Sequence, residues 1–397
     1  MQLTEPQSRD RGLPSSRTGD PTSSDPLLAF FIPDLSVGGA EQVTVSIVNG
    51  LAARGYDVDL LLSRFEGELK PRLSSEVNVV TLPPARTSVF GVAGNLPAVV
   101  SYLRRENPDV LIPHLEHPSV VCLSAGRIPG VDTPIIPTQH SAFGVSSVPT
   151  LKDRAVKELV PRLYPSARRI IAVSKGVADG LSERTPVSRE RISVIHNPVE
   201  IDSVRERARE PVDHDWIEDD DFDVVLFVGR LARQKDLETW LRAFRIANDR
   251  NPDLRGVIVG RGSRREELMT LAERLEVEDA VSMPGFVENP YRYMSQASVF
   301  LLSSKYEGLP TVLIEALACG SPIVSTDCPN GPREILLDGS LGPLVPVGNE
   351  DELANAVMRT LADPTPPSKL RERADDFRPK AVFDRYEQFI REYVISG

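Results

Sequence analysis

Cysteine, histidine and long apolar runs are all scarce in this sequence of 397 residues, and each scarcity excludes a class of protein. The three cysteines, Cys122, Cys319 and Cys328, form no CxxC pair. A disulfide framework is therefore excluded, and a reducing compartment is favoured. No stretch approaches the roughly 18–20 apolar residues that a membrane-spanning helix needs. The N-terminus also lacks the apolar core of a signal peptide, so we expect a soluble cytoplasmic protein.

The excess of acidic residues argues against nucleic acid as a binding partner. Acidic residues outnumber basic ones by 57 to 46, and the formal net charge is −11 at pH 7. Because a general nucleic-acid binder needs a basic face, no nucleic-acid partner is expected. One basic segment does occur: residues 152–169 carry six Lys or Arg against Asp153 and Glu158. It predicts either a helix resting on an anionic membrane or, as the favoured interpretation, a surface helix with a basic outer face.

Length and hydrophobic pattern predict two α/β domains. The chain is too long for one compact core. Short apolar runs such as "LLAFFI" alternate with helical segments across residues 27–204, and the same alternation restarts across residues 223–376. This rhythm is typical of doubly wound, Rossmann-like domains with parallel sheets. Such sheets bind ligands at the carboxyl ends of their strands, so the site is expected in the cleft between the domains.

Three further segments complete the chain. Residues 1–26 are rich in Ser, Pro, Arg and Asp and are expected to form a disordered tail. Residues 205–222 form an acidic interdomain linker; a divalent-metal site is the alternative, although consecutive acids without a turn glycine do not resemble a calcium loop. Residues 377–397 form an amphipathic helix whose apolar stripe does not by itself decide which domain it packs on.

Glycines and cations follow several of the predicted strands. Gly38 and Gly39, in "SVGGAE", would let the backbone approach an anion at a helix N-terminus, although such a pair is also common in tight turns. In "VGRLARQKD", Arg230 and Lys235 lie where two cations suit a diphosphate. An ordinary solvated loop is the alternative for this segment. The next two strands are followed by Gly260 with Arg261 and by Phe286 with Val287. Because these three segments all fall on the same edge of one predicted sheet, a ligand site there is favoured.

Two glutamates, Glu307 and Glu315, lie in the largely apolar segment "KYEGLPTVLIEALACG". Pro310 fits the first turn of a helix and Gly320 fits its end, so the helix is expected to run from about Pro310 to Cys319. A carboxylate in such surroundings needs a polar partner. The vicinal hydroxyls of a ribose or a donor sugar would supply one, and salt bridges with neighbouring Arg or Lys are the alternative.

The segment "EGLPTVLIEALACGSPIV" resembles the Glu-x7-Glu signature of the retaining GT-B glycosyltransferases of family 4. "VGRLARQKD" resembles the diphosphate-binding segment of that family, and "GGAE" and "HNPV" resemble two further landmarks in the expected order. The likeness extends from about Leu27 to Val394. It implies the GT-B fold, in which two doubly wound Rossmann-like domains face an interdomain cleft and the helix at 377–397 crosses back onto the first domain.

The resemblance also implies the reaction and the role of each residue. A hexose or N-acetylhexosamine would pass from a nucleotide-sugar to a glycan or lipid-linked acceptor with retention of anomeric configuration. A UDP-sugar is the guessed donor. The implied catalytic residues are Glu307, near the reacting end of the sugar, His140, beside the sugar, and Arg230 and Lys235, on the diphosphate. The implied nucleotide-sugar contacts are Gly38, Gly39, Gly229, Arg230, Lys235, Gly260, Arg261, Phe286, Val287, Glu307, Gly308, Leu309, Pro310, Thr311 and Glu315.

No metal and no cofactor are expected, because fixed Arg and Lys side chains can neutralise the leaving diphosphate. His114 and His117 have a spacing that suits a metal, but no convincing third ligand accompanies them. Two other activities stay open: a non-catalytic GT-B-like binding protein, and a sugar-nucleotide epimerase of the same architecture. Peripheral contact with the inner membrane face, the oligomeric state, and the choice between a front-side and a double-displacement mechanism also stay open.

Overall fold

The computed structural model describes residues 26–83, 94–141, 143, 151–219 and 221–395. The tail expected at residues 1–26 therefore lies outside the described residues apart from Pro26. Within the described ranges, no helix is both long and apolar enough to cross a bilayer.

The first half of the chain forms parallel sheets flanked by helices. A four-stranded sheet has the order β3-β2-β1-β4, and a three-stranded sheet has the order β5-β6-β7. Parallel bridges join Leu111 to Ile135 and His114 to Thr138, so the second sheet continues from the β4 edge of the first. The elements are β1 (Leu27–Ile32), α1 (Gly39–Ala52), β2 (Asp57–Leu62), β3 (Asn78–Thr81), α2 (Leu96–Glu106), β4 (Val110–Pro113), α3 (Glu116–Ala125), β5 (Thr138–Gln139), α4 (Leu151–Leu163), β6 (Ile170–Ala172), α5 (Lys175–Arg184) and β7 (Ile192–Val194).

The second half forms one six-stranded parallel sheet with the order β10-β9-β8-β11-β12-β13. The order reverses between β8 and β11, which is where a doubly wound sheet opens a ligand crevice. Two short helices precede this sheet, α6 (Ile201–Arg207) and α7 (Asp215–Glu218). The other elements are β8 (Asp223–Val228), α8 (Leu237–Asn248), β9 (Leu254–Val259), α9 (Arg265–Arg274), β10 (Val281–Gly285), α10 (Tyr291–Gln296), β11 (Val299–Leu302), α11 (Thr311–Cys319), β12 (Ile323–Thr326), α12 (Pro332–Ile335), β13 (Leu344–Val345), α13 (Glu350–Ala362), α14 (Pro367–Ala374) and α15 (Pro379–Ile390).

Strand β1 shows why the apolar runs are continuous. All six of its residues are buried. Leu28, Phe30 and Ile32 belong to the cluster that contains α1, whereas Ala29 and Phe31 face the cluster that contains α2 and α3. Because helices cover both faces of a doubly wound sheet, a strand in it has no polar side.

Helix α15 belongs to the core of the first domain. Its buried residues share one cluster with β1, α1 and β2: Val382, Phe383, Tyr386, Phe389 and Ile390. A Cβ at Gly50 of α1 would lie 2.1 Å from the Phe383 ring, so the two helices touch where α1 has no side chain.

The basic helix α4 uses its apolar stripe inside the domain. Val156, Val160 and Leu163 are buried in the core, while Leu159 is exposed. The stripe is thus largely engaged by the protein's own interior. This arrangement matches the surface-helix interpretation of residues 152–169.

The acidic segment that precedes β8 contains helical turns that its charge pattern does not indicate. Helix α6 begins before this segment, where it buries Ile201 and Val204, and ends inside it at Arg207; α7 lies within the segment. Among the residues described, no group of three or more His, Cys, Asp or Glu side chains is arranged to hold a metal ion.

Candidate active site

The loops after β8 and β11 are joined by hydrogen bonds, because these two strands are neighbours in the sheet. Lys305 N–H donates to the Gln234 carbonyl at 2.8 Å, and Ser303 Oγ donates to the Lys235 carbonyl at 2.7 Å. Gln234 Nε2 in turn donates to the Tyr306 carbonyl at 2.9 Å. These bonds fix the segment that carries Lys235 against the segment that carries Glu307.

Glu307 lies in a polar pocket of its own domain. Its Oε1 accepts hydrogen bonds from Lys235 Nζ at 2.7 Å and from Ser304 Oγ at 2.6 Å. Gln234 Nε2 donates to the other oxygen at 3.2 Å. Glu307 is 6% exposed, so this carboxylate is buried but paired. For Glu307 the salt-bridge alternative therefore describes the contact that exists, and the partner is the predicted diphosphate-binding lysine.

Glycines bring three strand ends side by side. Gly229 N–H donates to the Val259 carbonyl at 3.0 Å, and Gly260 N–H donates to the Gly285 carbonyl at 2.8 Å. Gly260 has φ +147°, and a Cβ there would lie 1.8 Å from the Gly229 carbonyl oxygen. The close approach of these backbones therefore requires glycine.

Beyond this edge, Phe286 is 65% exposed, and the Arg261 guanidinium lies 5.1 Å from the centre of its ring. The predicted base-binding residues thus form an aromatic and cationic surface at the end of β10. Val287 packs partly against the core beside it.

Helix α11 ends as the sequence predicts and begins one residue later. It spans Thr311–Cys319, follows Pro310 directly, and ends at Gly320, whose φ is +84°. Pro310 provides no side-chain cap for the helix, and Leu313 N–H donates to the Pro310 carbonyl at 3.0 Å. The N–H groups of Thr311 and Val312 are the ones at this helix start that could face an anion. Gly308 and Leu309 lead the chain into this turn.

Glu315, on the second turn of α11, lines a cavity of about 560 Å³ between the two domains. Its carboxylate forms no hydrogen bond or ion pair with any residue that the structure describes. Burial raises its pKa to about 7, although Lys235 opposes this rise. A carboxylate in this setting is an acceptor that a pair of sugar hydroxyls would satisfy. Gly39 and Thr311 line the same cavity, together with Gln42, Asn49, Arg207 and Tyr291.

The first domain closes the other side of the cleft. Helix α1 begins at Gly39, with Gly38 as its N-cap. Burial raises the pKa of Glu41 in the first turn, and Arg230 of the other domain opposes that rise by its charge. Arg230 is exposed, and its guanidinium forms no hydrogen bond with the residues that the structure describes. The glycine loop and the predicted diphosphate cation therefore face each other across the cleft.

His140 lies where the two domains touch. A Cβ at Gly308 would lie 1.9 Å from the His140 carbonyl oxygen, and Ser174 Oγ donates to the Gly308 carbonyl at 2.9 Å. His140 thus comes next to the loop that carries Glu307. A second cross-domain contact joins Glu334 Oε1 to His196 Nε2 at 2.7 Å.

Several residues of the site carry no signal in the sequence that singles them out. Ser304 and Gln234, which hold Glu307, are ordinary loop residues. Tyr291 lines the cavity beside Glu315, whose charge is the main cause of a raised Tyr291 pKa. Arg207 lies 5.2 Å from the centre of the Tyr291 ring. Only the position of Tyr291 just after the predicted base-binding loop could have suggested it.

Comparison with known families agrees with this geometry. Residues 209–377 match the model of glycosyl transferases group 1, and residues 37–203 match that of glycosyltransferase family 4. The chain belongs to the group 1, family 4 glycosyltransferases. The predicted family is thereby confirmed, and this protein is a glycosyltransferase.

Curated relatives cover most of this glycosyltransferase. A Campylobacter jejuni N-acetylgalactosamine-N,N'-diacetylbacillosaminyl-diphospho-undecaprenol 4-alpha-N-acetylgalactosaminyltransferase is 29% identical over 347 residues, which are 85% of this chain and 90% of that protein. The Rhizobium meliloti lipopolysaccharide core biosynthesis glycosyltransferase LpsE is 27% identical, over 89% of this chain and 96% of its own.

Solved structures confirm the GT-B fold. Anabaena HepE in complex with UDP superposes with a TM-score of 0.74 at 21% identity, covering 92% of this chain and 100% of that one. The sucrose-phosphate synthase of Thermosynechococcus elongatus gives a TM-score of 0.76 at 20% identity, covering 94% and 100%. At these identities the likeness concerns the fold alone.

Proposed function

We propose that this glycosyltransferase moves a hexose or N-acetylhexosamine from a UDP-sugar to a glycan or lipid-linked acceptor, without a metal and with retention of anomeric configuration. The observation that carries the proposal is the contrast between its two carboxylates. Glu307 is held by Lys235, Ser304 and Gln234, whereas Glu315 faces the interdomain cavity without a hydrogen-bond or ion-pair partner among the described residues.

The donor nucleotide would bridge these environments. Its ribose hydroxyls would donate to Glu315, whose burial makes an unsatisfied charge costly and a paired one favourable. The base would lie on the Arg261–Phe286 surface at the end of β10. A UDP donor is supported by the fold shared with HepE, which was solved in complex with UDP.

Cleavage of the bond between the sugar and the diphosphate builds negative charge on the leaving oxygen. Arg230, Lys235 and the N-terminus of α11 would stabilise this charge, and together they would do what a bound Mg²⁺ does elsewhere. A diphosphate would compete with Glu307 for the Lys235 ammonium, which now lies 2.7 Å from the carboxylate. Glu307 would then accept a hydrogen bond from a hydroxyl of the donor sugar close to the reacting carbon.

The acceptor class rests on the relatives. The Campylobacter relative is named for transfer to a diphospho-undecaprenol-linked sugar, and the Rhizobium relative for lipopolysaccharide core biosynthesis. We infer that this chain acts at a related step of glycan or glycoconjugate assembly, on an acceptor carried by a lipid or a growing saccharide.

The test is a thermal-shift and hydrolysis screen against UDP-, GDP- and ADP-sugars, with and without EDTA. Glu315→Ala and Lys235→Ala are measured in parallel, and Glu273→Ala, an exposed glutamate on α9, is the matched control. We expect stabilisation by UDP-sugars in the parent and in the control, loss of this effect in both site variants, and no effect of EDTA. The anomeric configuration of the transferred or released sugar, followed by NMR, tests retention.

Stabilisation by a different nucleotide family would overturn the choice of base but not the site. Retained binding in both site variants would contradict the assignment of Glu315 and Lys235. An epimerised free sugar formed without acceptor would instead identify an epimerase of the same architecture.

A further inference from the structure

Two histidines of the first domain form a hydrogen-bonded pair at the edge of the cleft. His114 follows β4 and His140 follows β5, and the bridge between His114 and Thr138 places these strand ends side by side. His114 Nδ1 lies 2.9 Å from His140 Nε2, with the ring centres 4.8 Å apart. His114 is fully buried, whereas His140 is partly exposed.

The third member of the group is Thr44 on α1. Its Oγ1 lies 2.8 Å from His114 Nδ1 and donates a hydrogen bond to the Ala40 carbonyl at 2.7 Å. A carbonyl oxygen can only accept, and a hydroxyl has one hydrogen to give. Thr44 must therefore accept at its oxygen from His114, which places the proton of the His114 ring on Nδ1.

This assignment determines the state of His140. The single hydrogen on His114 Nδ1 is shared, in a three-centre bond, between Thr44 Oγ1 and the His140 Nε2 that faces it. His140 Nε2 is therefore an acceptor, and the proton of a neutral His140 ring lies on Nδ1. Burial lowers the pKa of His140 to about 4, so this ring is neutral at pH 7. Burial, together with the charge of a protonated His140, lowers the pKa of His114 well below its ordinary value. Among the described residues, His114 Nε2 has no hydrogen-bond partner although it is buried, which is a smaller cost for an acceptor than for an N–H group.

We propose that His114 is a positioning residue for the transfer reaction: it fixes the ring of His140 in the neutral tautomer protonated at Nδ1 and leaves that N–H for an oxygen of the donor sugar. His140 Nδ1 has no hydrogen-bond partner among the described residues, and the His140 backbone touches Gly308, next to Glu307. The proposal rests on the proposed function, because it takes the donor sugar to lie in this cleft.

Two substitutions separate positioning from packing. His114→Asn keeps a polar atom near the place of Nδ1, whereas His114→Leu fills a similar volume and has none. We expect His114→Leu to lower kcat at least about tenfold with donor affinity within about threefold of the parent, because a misoriented contact to the reacting group affects the rate more than binding. His114→Asn should recover most of this loss.

A double-mutant cycle with His140→Ala tests whether His114 acts through His140. In the His140→Ala background, His114→Leu should change kcat by less than about twofold, since the group that it positions is already gone. Additive losses in the double variant would show that His114 acts by another route, and would overturn the proposal.

The direct readout is the tautomer of His140, from NMR of protein labelled with ¹⁵N-histidine. The chain has five histidines, so a His140→Ala spectrum assigns the signal. We expect the native protein to show His140 neutral and protonated at Nδ1, and His114→Asn to preserve this state. A native His140 protonated at Nε2, or a His114→Leu enzyme with the kcat of the parent, would refute the proposal. The tautomer measurement needs no substrate, so absence of transferase activity would count against the proposed function and leave this test intact.

Discussion

Replacing Glu315 by glutamine is expected to stabilise the protein at pH 8 and to abolish its affinity for the nucleotide. Burial raises the pKa of Glu315 from 4.5 to about 7. The folded state therefore holds the proton more tightly than the unfolded state does. Stability falls as pH rises from about 4.5 to 7, and above that range the folded protein carries the full cost of a poorly solvated charge.

The magnitude follows from the shift. A difference of about 2.5 pKa units at 1.36 kcal/mol per unit corresponds to about 3 kcal/mol. Glu315 keeps some contact with the cavity, and solvent there makes this figure an upper bound. Glutamine has nearly the same shape and no charge. It should recover up to about 3 kcal/mol of unfolding free energy at pH 8 and almost nothing near pH 4.5.

The assay is thermal unfolding at pH 5 and pH 8. In a domain of 150–250 residues, about 1 kcal/mol moves Tm by ~2–4 °C, so the full ~3 kcal/mol would raise Tm at pH 8 by about 6–12 °C. Glu273→Gln, on the exposed face of α9, is the neutral control. Glu307→Gln should instead lower the free energy of unfolding, because it leaves Lys235 without its charged partner. The expected loss is on the order of 2–3 kcal/mol, which is below the loss for a fully buried pair.

Two results would refute this reasoning. An equal change in Tm at pH 5 and pH 8 would mean that the ionised Glu315 is not a cost to the fold. Undiminished stabilisation of Glu315→Gln by a UDP-sugar would mean that the ribose does not need this carboxylate.

Two glycines of the site give further predictions. Gly260→Ala should cost more than about 3 kcal/mol and reduce the yield of folded protein, because its Cβ would lie 1.8 Å from the Gly229 oxygen at a φ of +147°; chemical denaturation checks this. Gly180→Ala, on α5 with no atom within 4 Å of the added carbon, is the matched control and should stabilise by about 0.5–1 kcal/mol. Gly308→Ala should hold the domains apart, because its Cβ would lie 1.9 Å from the His140 carbonyl oxygen. Small-angle scattering should show a larger radius of gyration for this variant than for Gly180→Ala, and its activity should be lower. Equal radii of gyration would contradict the prediction.

The sequence predicts local features of the site better than the partners of its residues. Helix α11 could be placed from Pro310 and Gly320 because proline at the start and a left-handed glycine at the end are local requirements of the backbone. The contact between Lys235 and Glu307 joins positions 72 residues apart. It depends on the adjacency of β8 and β11, so the sequence left the choice between a sugar and a cation open.

The same limit applies to the histidine group. Thr44 and His114 are 70 residues apart, and only the strand order brings them together. In sequence, the nearest histidine to His114 is His117, and the only pairing that this spacing suggests is a metal site, for which a convincing third ligand is lacking. Helix α7 was also unpredictable from the acidic charge pattern, because none of its four residues is buried in the core.

The return of α15 to the first domain has a mechanical consequence. The chain enters the second domain near α6 and leaves it again before α15, whose Val382 and Tyr386 are buried beside β1 and α1. The two domains are therefore tied by two covalent crossings rather than by a single tether. A pair of crossings resists twisting of one body against the other and permits rotation chiefly about the line that joins them. The cleft should therefore open and close by rotation about this single axis. The strand ends of the two domains should then return to the same relative position at every closure.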